Sequence, residues 1–125
     1  MIYSAADPLA RAIAAVLTPD LLKPGYGPKA HCYVASEAYF HLRGGKAAGF
    51  KPMTQRHEGG THWWVQGPNR EIIDITADQF ATPVPYASAR GCGFQTSAPS
   101  ARARVVIRRV DARHPELVPT RFKTA

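Results

Sequence analysis

A chain of 125 residues that is 45% hydrophobic and 20% charged has room for one core and no second comparable one, and it lies far from the composition of disordered chains. Sixteen Lys and Arg against nine Asp and Glu leave a formal charge of +7, which admits nucleic acid or an acidic surface as a partner; without a base-reading motif, only non-specific nucleic-acid contact is expected. No apolar run approaches the roughly 20 residues that span a bilayer, and Met1 to Asp7 lacks the basic and apolar regions of a signal peptide, so a single soluble, cytoplasmic domain over residues 1–125 is the expectation.

Asp7-Pro8-Leu9 reads as a helix start, with Asp7 as N-cap and Pro8 where a missing N–H costs nothing. Leu9, Ile13, Val16 and Leu17 form one buried stripe, and Thr18-Pro19-Asp20 ends it. The glycine- and proline-rich segment from Lys23 to Lys29 is a loop that delivers the chain to His31 and Cys32. From Cys32 to about Leu42, the residues Val34, Ala35, Ala38, Tyr39 and Leu42 carry helical spacing, and Arg43-Gly44-Gly45 is the stop. Glu37 and His41 lie one turn apart on this helix and read as a solvated pair.

Strands are expected over Phe50–Arg56, Thr61–Gln66 and Glu71–Ile75, with a charged turn from His57 to Gly60 and a hairpin loop from Gly67 to Arg70. Trp63 and Trp64 point to opposite faces of their strand, one to the core and one available to floor a substrate groove. After Thr76 the chain is irregular: Pro83-Val84-Pro85-Tyr86 is extended and Cys92 sits between glycines. Ala103, Val106, Ile107 and Val110 keep helical spacing despite the β-branched run, so a last helix starts near Ser97 to Ser100. Arg102, Arg104, Arg108 and Arg109 would form its wet face, and the tail after Pro115 has no clear pattern.

Neither cysteine belongs to a Cys-x-x-Cys pair, and in a cytosolic chain two free thiols are favoured over a disulfide. Cys32 falls in the first turn of a helix, where orphan backbone N–H groups and the helix dipole lower a thiol pKa. His62 opens one strand and Asp74 closes the next, so a hairpin makes the two ends neighbours. Asp74 is flanked by Ile72, Ile73 and Ile75, an apolar setting in which a carboxylate needs a partner such as an imidazole N–H. Thiol, imidazole and carboxylate in that order are the parts of a cysteine nucleophile with its base and the base's orienter. His31, Cys32, His62, Asp74 and Cys92 hold enough ligand atoms for zinc, but their spacing matches no common ligand pattern; no metal and no cofactor is expected.

The order Cys32, His62, Asp74, with His-Trp-Trp-Val on one strand and Ile-Ile-Asp-Ile-Thr on the next, resembles the papain-like superfamily and, within it, the transglutaminase-like and arylamine N-acetyltransferase-like branch. Ile73 to Phe80 is also similar to a strand-end segment of small phage and bacterial proteins. The resemblance covers about Ala30 to Phe80 and implies an α+β fold, a small antiparallel sheet packed against an N-terminal helix pair, with a C-terminal helix added. It implies Cys32 as nucleophile, His62 as general base and acid, and Asp74 as orienter, acting on a protein, peptide or small acyl or amide substrate. No Gln or Asn stands just upstream of Cys32, so the oxyanion donors are expected to be the Cys32 backbone N–H with Tyr26, Gln55 or Gln79, and Trp64 is the groove candidate. The expected function is acyl transfer or amide hydrolysis of the protease, amidase, deamidase or transglutaminase type. The alternative is a non-catalytic phage-type inhibitor or basic-surface binder on the same scaffold, working in a host cytoplasm.

Overall fold

A computed structural model describes residues 6–22, 31–94 and 96–123. The expected loop from Lys23 to Lys29, with Tyr26, lies outside the described residues. The class is α+β: helices α1 (Pro8–Val16), α2 (His31–Leu42) and α3 (Ala101–Arg113) accompany an antiparallel sheet of β1 (Lys51–His57), β2 (Gly60–Gln66), β3 (Ile72–Ile73) and β4 (Arg90–Gly91), in spatial order β3-β2-β1-β4. Among the described residues no helix is long and apolar enough to cross a membrane.

The helices start where their caps allow. Asp7 accepts hydrogen bonds from Leu9 N–H at 2.9 Å and Ala10 N–H at 3.2 Å, satisfying two orphan donors of α1. Its other oxygen, Oδ2, accepts from the Tyr39 hydroxyl at 2.6 Å, and Arg43 pairs with the capping Oδ1 at 2.7 Å, so one carboxylate ties α1 to the far end of α2. Ser100 caps α3 through Ala103 N–H at 3.3 Å. It also gives its N–H and its hydroxyl to Glu37 at 2.8 and 2.7 Å. Glu37 is therefore fully buried, not half of a solvated pair with His41, because the α3 cap supplies the donors that water would.

Leu9, Ile13 and Val16 from α1 meet Val34, Ala35, Ala38 and Leu42 from α2 and Val106, Ile107 and Val110 from α3 in one core, to which the sheet adds Val65 and Ile73. Full burial of each larger aliphatic contributes about 1.5–3 kcal/mol. The expected arginine face is divided: Arg102 donates to Leu21 O at 3.2 Å, and Arg109 to Val16 O at 3.1 Å and Asp20 at 2.9 Å, clasping the chain after α1. The tail also packs, with Val118 buried and Arg121 donating to His41 O at 3.0 Å.

A two-residue turn joins β1 to β2, with Glu58 at φ 48° and Gly59 at φ 84°, the doubly left-handed geometry that matches strand twist. Pairing runs from Lys51↔Gln66 to His57↔Gly60. β3 is shorter than expected, covering only Ile72–Ile73, and β4, not anticipated from sequence, pairs with β1 through Met53↔Gly91 and Thr54↔Arg90. Val65 faces the helices, so His62 and Trp64 face away from them. That second face is covered by 3₁₀ turns at Ala77–Gln79 and Tyr86–Ser88. Glu58 fastens the cover by accepting from Thr82 N–H at 2.8 Å and its hydroxyl at 2.7 Å.

Two stability outcomes follow. Ser100→Ala removes a cap and one of the two donors that Ser100 gives a buried carboxylate, the hydroxyl, leaving its N–H in place, and should lower the urea unfolding free energy by about 2 kcal/mol, against less than about 0.5 kcal/mol for a substitution at exposed Arg108. Burial pushes the Asp7 carboxyl up, but the Tyr39 hydroxyl, the Ala10 N–H and Arg43 outweigh it and hold it below its ordinary value. A depressed carboxylate contributes stability that is present above its unfolded value of about 3.9 and lost as pH falls through the folded one. Asp7→Asn should therefore flatten the acid limb of stability below about pH 4, which denaturant titrations at a series of pH values would read.

Candidate active site

His62 and Asp74 meet as the hairpin predicts. Nε2 of His62 lies 2.7 Å from Oδ2 of Asp74, and both side chains are closed to solvent. The Tyr86 hydroxyl donates to the same Oδ2 at 2.7 Å. The Phe80 ring stands nearly perpendicular to the imidazole with centroids 4.5 Å apart, and the Trp64 centroid lies 5.6 Å away on the same face of β2. With Nε2 holding the proton toward the carboxylate, Nδ1 is left as an acceptor; it is buried and has no hydrogen-bond partner among the described residues.

Cys32 reaches this place because β3 stops early. Cys92 N–H donates to Pro52 O, so Pro52 turns its backbone toward β4 and its partner Val65 turns toward β3. Thr61 and Trp63 share the parity of Val65, yet β3 pairs only with Val65 and Gln66. Among the described residues no strand pairs with the edge of β2 beside His62, and the first turn of α2 lies there. The Cys32 S–H points at Thr61 O at 3.9 Å, while the N–H groups of Trp63, Tyr33 and Cys32 itself approach the sulfur. Sulfur therefore sits against the two residues that flank His62 in the chain.

The thiol pKa goes the opposite way from the sequence expectation. Burial dominates and raises it, the Asp74 charge adds to the rise, and the backbone N–H groups lower it by less. Cys32 is only 4% exposed, and a desolvated thiolate loses more than a helix terminus returns.

The remaining candidates fare differently. Trp64 is 2% exposed beneath Tyr86, whose ring centroid is 5.0 Å away, so it is core and not a groove floor; Trp63 is the half-buried one, because its face meets the open end of α2. Gln55 pairs with His62 across β1 and β2, which puts strand β2 between it and Cys32, and its amide is engaged by the Ser88 hydroxyl. Gln79 follows Asp74 on the side where β3 ends and donates to Thr76 Oγ1 at 3.1 Å. Cys92 is exposed on the β4 edge, about 10 Å across two strand spacings from the edge that holds Cys32, too far for a disulfide. His31 bonds Thr18 O at 2.9 Å, and among the described residues no three His, Cys, Asp or Glu side chains group as metal ligands.

Tyr86 and Phe80 were not legible as site residues. Tyr86 stands in a proline-rich stretch whose only sequence signal is irregularity, and nothing local announces a hydroxyl aimed at a carboxylate twelve residues upstream. Compared with protein-family models, curated proteins and solved structures, the chain finds no match. The geometry alone therefore bears on function.

Tyr86→Phe takes a charge-assisted donor from a buried carboxylate and should cost about 2 kcal/mol at pH 7. Burial, the bond to Asp74 and the charge of Asp74 all push the Tyr86 hydroxyl above its ordinary value. Stability carried by a raised group is present below the unfolded value of about 10 and lost as pH rises through the folded one. The difference between wild type and Tyr86→Phe should consequently shrink above about pH 10 in urea titrations.

Proposed function

We propose that the chain is a cysteine-dependent acyl-transfer or amide-hydrolysing enzyme on a papain-like, transglutaminase-like arrangement, with Cys32 as nucleophile, His62 as base and acid, and Asp74 as orienter. The observation that carries this reading is the buried 2.7 Å bond between His62 Nε2 and Asp74, which leaves Nδ1 free on a residue whose two neighbours touch the Cys32 sulfur.

The chemistry follows from those positions. A raised thiol pKa means the resting group is S–H; it donates to Thr61 O and makes no hydrogen bond to His62 Nδ1, so on this reading the thiol turns from Thr61 O to Nδ1 and gives its proton there as the sulfur attacks a carbonyl carbon. Asp74 compensates the imidazolium that forms and is itself steadied by Tyr86. Collapse of the tetrahedral intermediate breaks the bond to the leaving amine, alcohol or thiol, which takes the proton back from His62. The thioester on Cys32 is then opened by water or an amine, with His62 removing the incoming proton and returning it to the Cys32 sulfur as the C–S bond breaks. Backbone N–H groups of Cys32 and Trp63 beside the sulfur are suited to receive the oxyanion, with Gln79 as the side-chain candidate.

Burial of Cys32 favours a second reading, a binding protein that retains the scaffold without turnover. One experiment separates the two. In a Cys92→Ser background, p-nitrophenyl acetate should acetylate Cys32 with release of p-nitrophenolate. His62→Gln and Asp74→Asn, checked for folding by circular dichroism, should slow the reaction by about 10²-fold or more. Acetylation no faster than that of free cysteine, or equal in folded His62→Gln, would overturn the enzyme reading.

A further inference from the structure

Tyr33 and Phe40 on α2, Trp63 on β2 and Phe94 just after β4 form a cluster of four aromatic rings, none fully buried. Trp63 stacks on Phe94 with centroids 5.4 Å apart, while Tyr33 and Phe40 each set an edge against Phe94 at 5.3 Å. Such pairs contribute about 0.5–1.5 kcal/mol each, so the cluster keeps its shape without a ligand. Phe40 and Phe94, together with Phe50, wall a cavity of about 1000 Å³. Phe40 lies eight residues beyond Cys32 on α2, about 12 Å along the helix, so this cavity is separate from the Cys32 site.

Its rim is cationic. Lys46 and Lys51 line it, both exposed and neither with a carboxylate partner among the described residues, and no Asp or Glu is among the described residues of the wall. Gly91 leaves room for the end of the Lys51 side chain. A Cβ at position 91 would overlap Lys51 Cε and stand 2.8 Å from Nζ, so only a glycine lets that side chain lie flat over β4 at the cavity mouth. His41 also lines the wall, and its Nε2 is buried without a hydrogen-bond partner among the described residues.

We propose that this cavity is a binding site for an organic anion with a flat apolar body: the body against Phe40, Phe50 and Phe94, the anionic head at the Lys46 and Lys51 rim. Two isolated cations give charge complementarity for one head group, and a wall of phenyl rings gives no grip to a polyanion lacking apolar surface. Cys92, exposed in the same wall, is a reporter thiol for occupancy.

The test uses the full chain and two probes of the same shape, anionic 1-anilinonaphthalene-8-sulfonate and neutral N-phenyl-1-naphthylamine. Fluorescence titration should show saturable one-to-one binding of the sulfonate, at least tenfold tighter than the amine and weakened by salt. Lys46→Met with Lys51→Met should abolish that preference. Gly91→Ala, which displaces the Lys51 head without removing a charge, should weaken the sulfonate several-fold and leave the amine unchanged; if it does not fold, the exposed Lys46→Met variant alone decides. Iodoacetamide labelling of Cys92, followed by peptide mass, should slow in proportion to sulfonate bound. Equal affinity for the two probes, no saturation, or unprotected Cys92 would overturn the proposal. Labelling at Cys32 is read from a different peptide, so the two sites fail or succeed independently.

Discussion

A carboxylate and an imidazole are kept out of water at the point where β3 ends, and that placement constrains much of the surrounding chain. Desolvating Asp74 costs several kcal/mol unless its charge is met; His62 and Tyr86 both meet Oδ2, while Oδ1 is buried with no hydrogen-bond partner among the described residues. Excluding water requires a lid over the second face of the sheet. Phe80, Val84 and Tyr86 provide it, and the otherwise irregular segment that carries them is anchored at the Glu58 turn and at the Gln55–Ser88 contact. The ladder must also stop at Ile73, because a strand continuing past it would occupy the edge of β2 where Cys32 sits.

Several elements were legible in the sequence for reasons that the structure shares. Asp7 before Pro8 announces α1 because capping is local, and the buried stripe of α3 is periodic enough to override three β-branched residues in a row. The β1–β2 hairpin is readable because its turn demands left-handed residues and Gly59 supplies one. β4 was invisible: two residues bordered by irregular chain carry no period, and they become a strand only because β1 offers an unpaired edge. Glu37 was misread as solvated since its partner Ser100 is sixty-three positions away, beyond the reach of any helical spacing rule.

The candidate site divides along the same line. The His62–Asp74 pairing is a hairpin property and was predictable, while the protonation of Cys32 is a property of the tertiary environment and was not. A helix N-terminus does direct N–H groups at the sulfur, yet burial outweighs them and raises the thiol pKa. The consequence is chemical. Under the proposed function, a thiol that does not ionise by itself depends on the imidazole, so the proposed chemistry rests on the hydrogen bond that orients His62 and not on the helix dipole. The other thiol, Cys92, occupies the opposite edge of the sheet and has no part in this.

The most direct test is the tautomer of His62, read from long-range ¹H–¹⁵N correlation spectra of histidine-labelled protein. The account predicts a proton on Nε2, hydrogen-bonded and shifted downfield, with a bare Nδ1 whose resonance moves when Cys32 is replaced by alanine and whose partner signal on Nε2 loses its downfield shift in Asp74→Asn. A proton resident on Nδ1, or an Nδ1 resonance indifferent to Cys32, would contradict it.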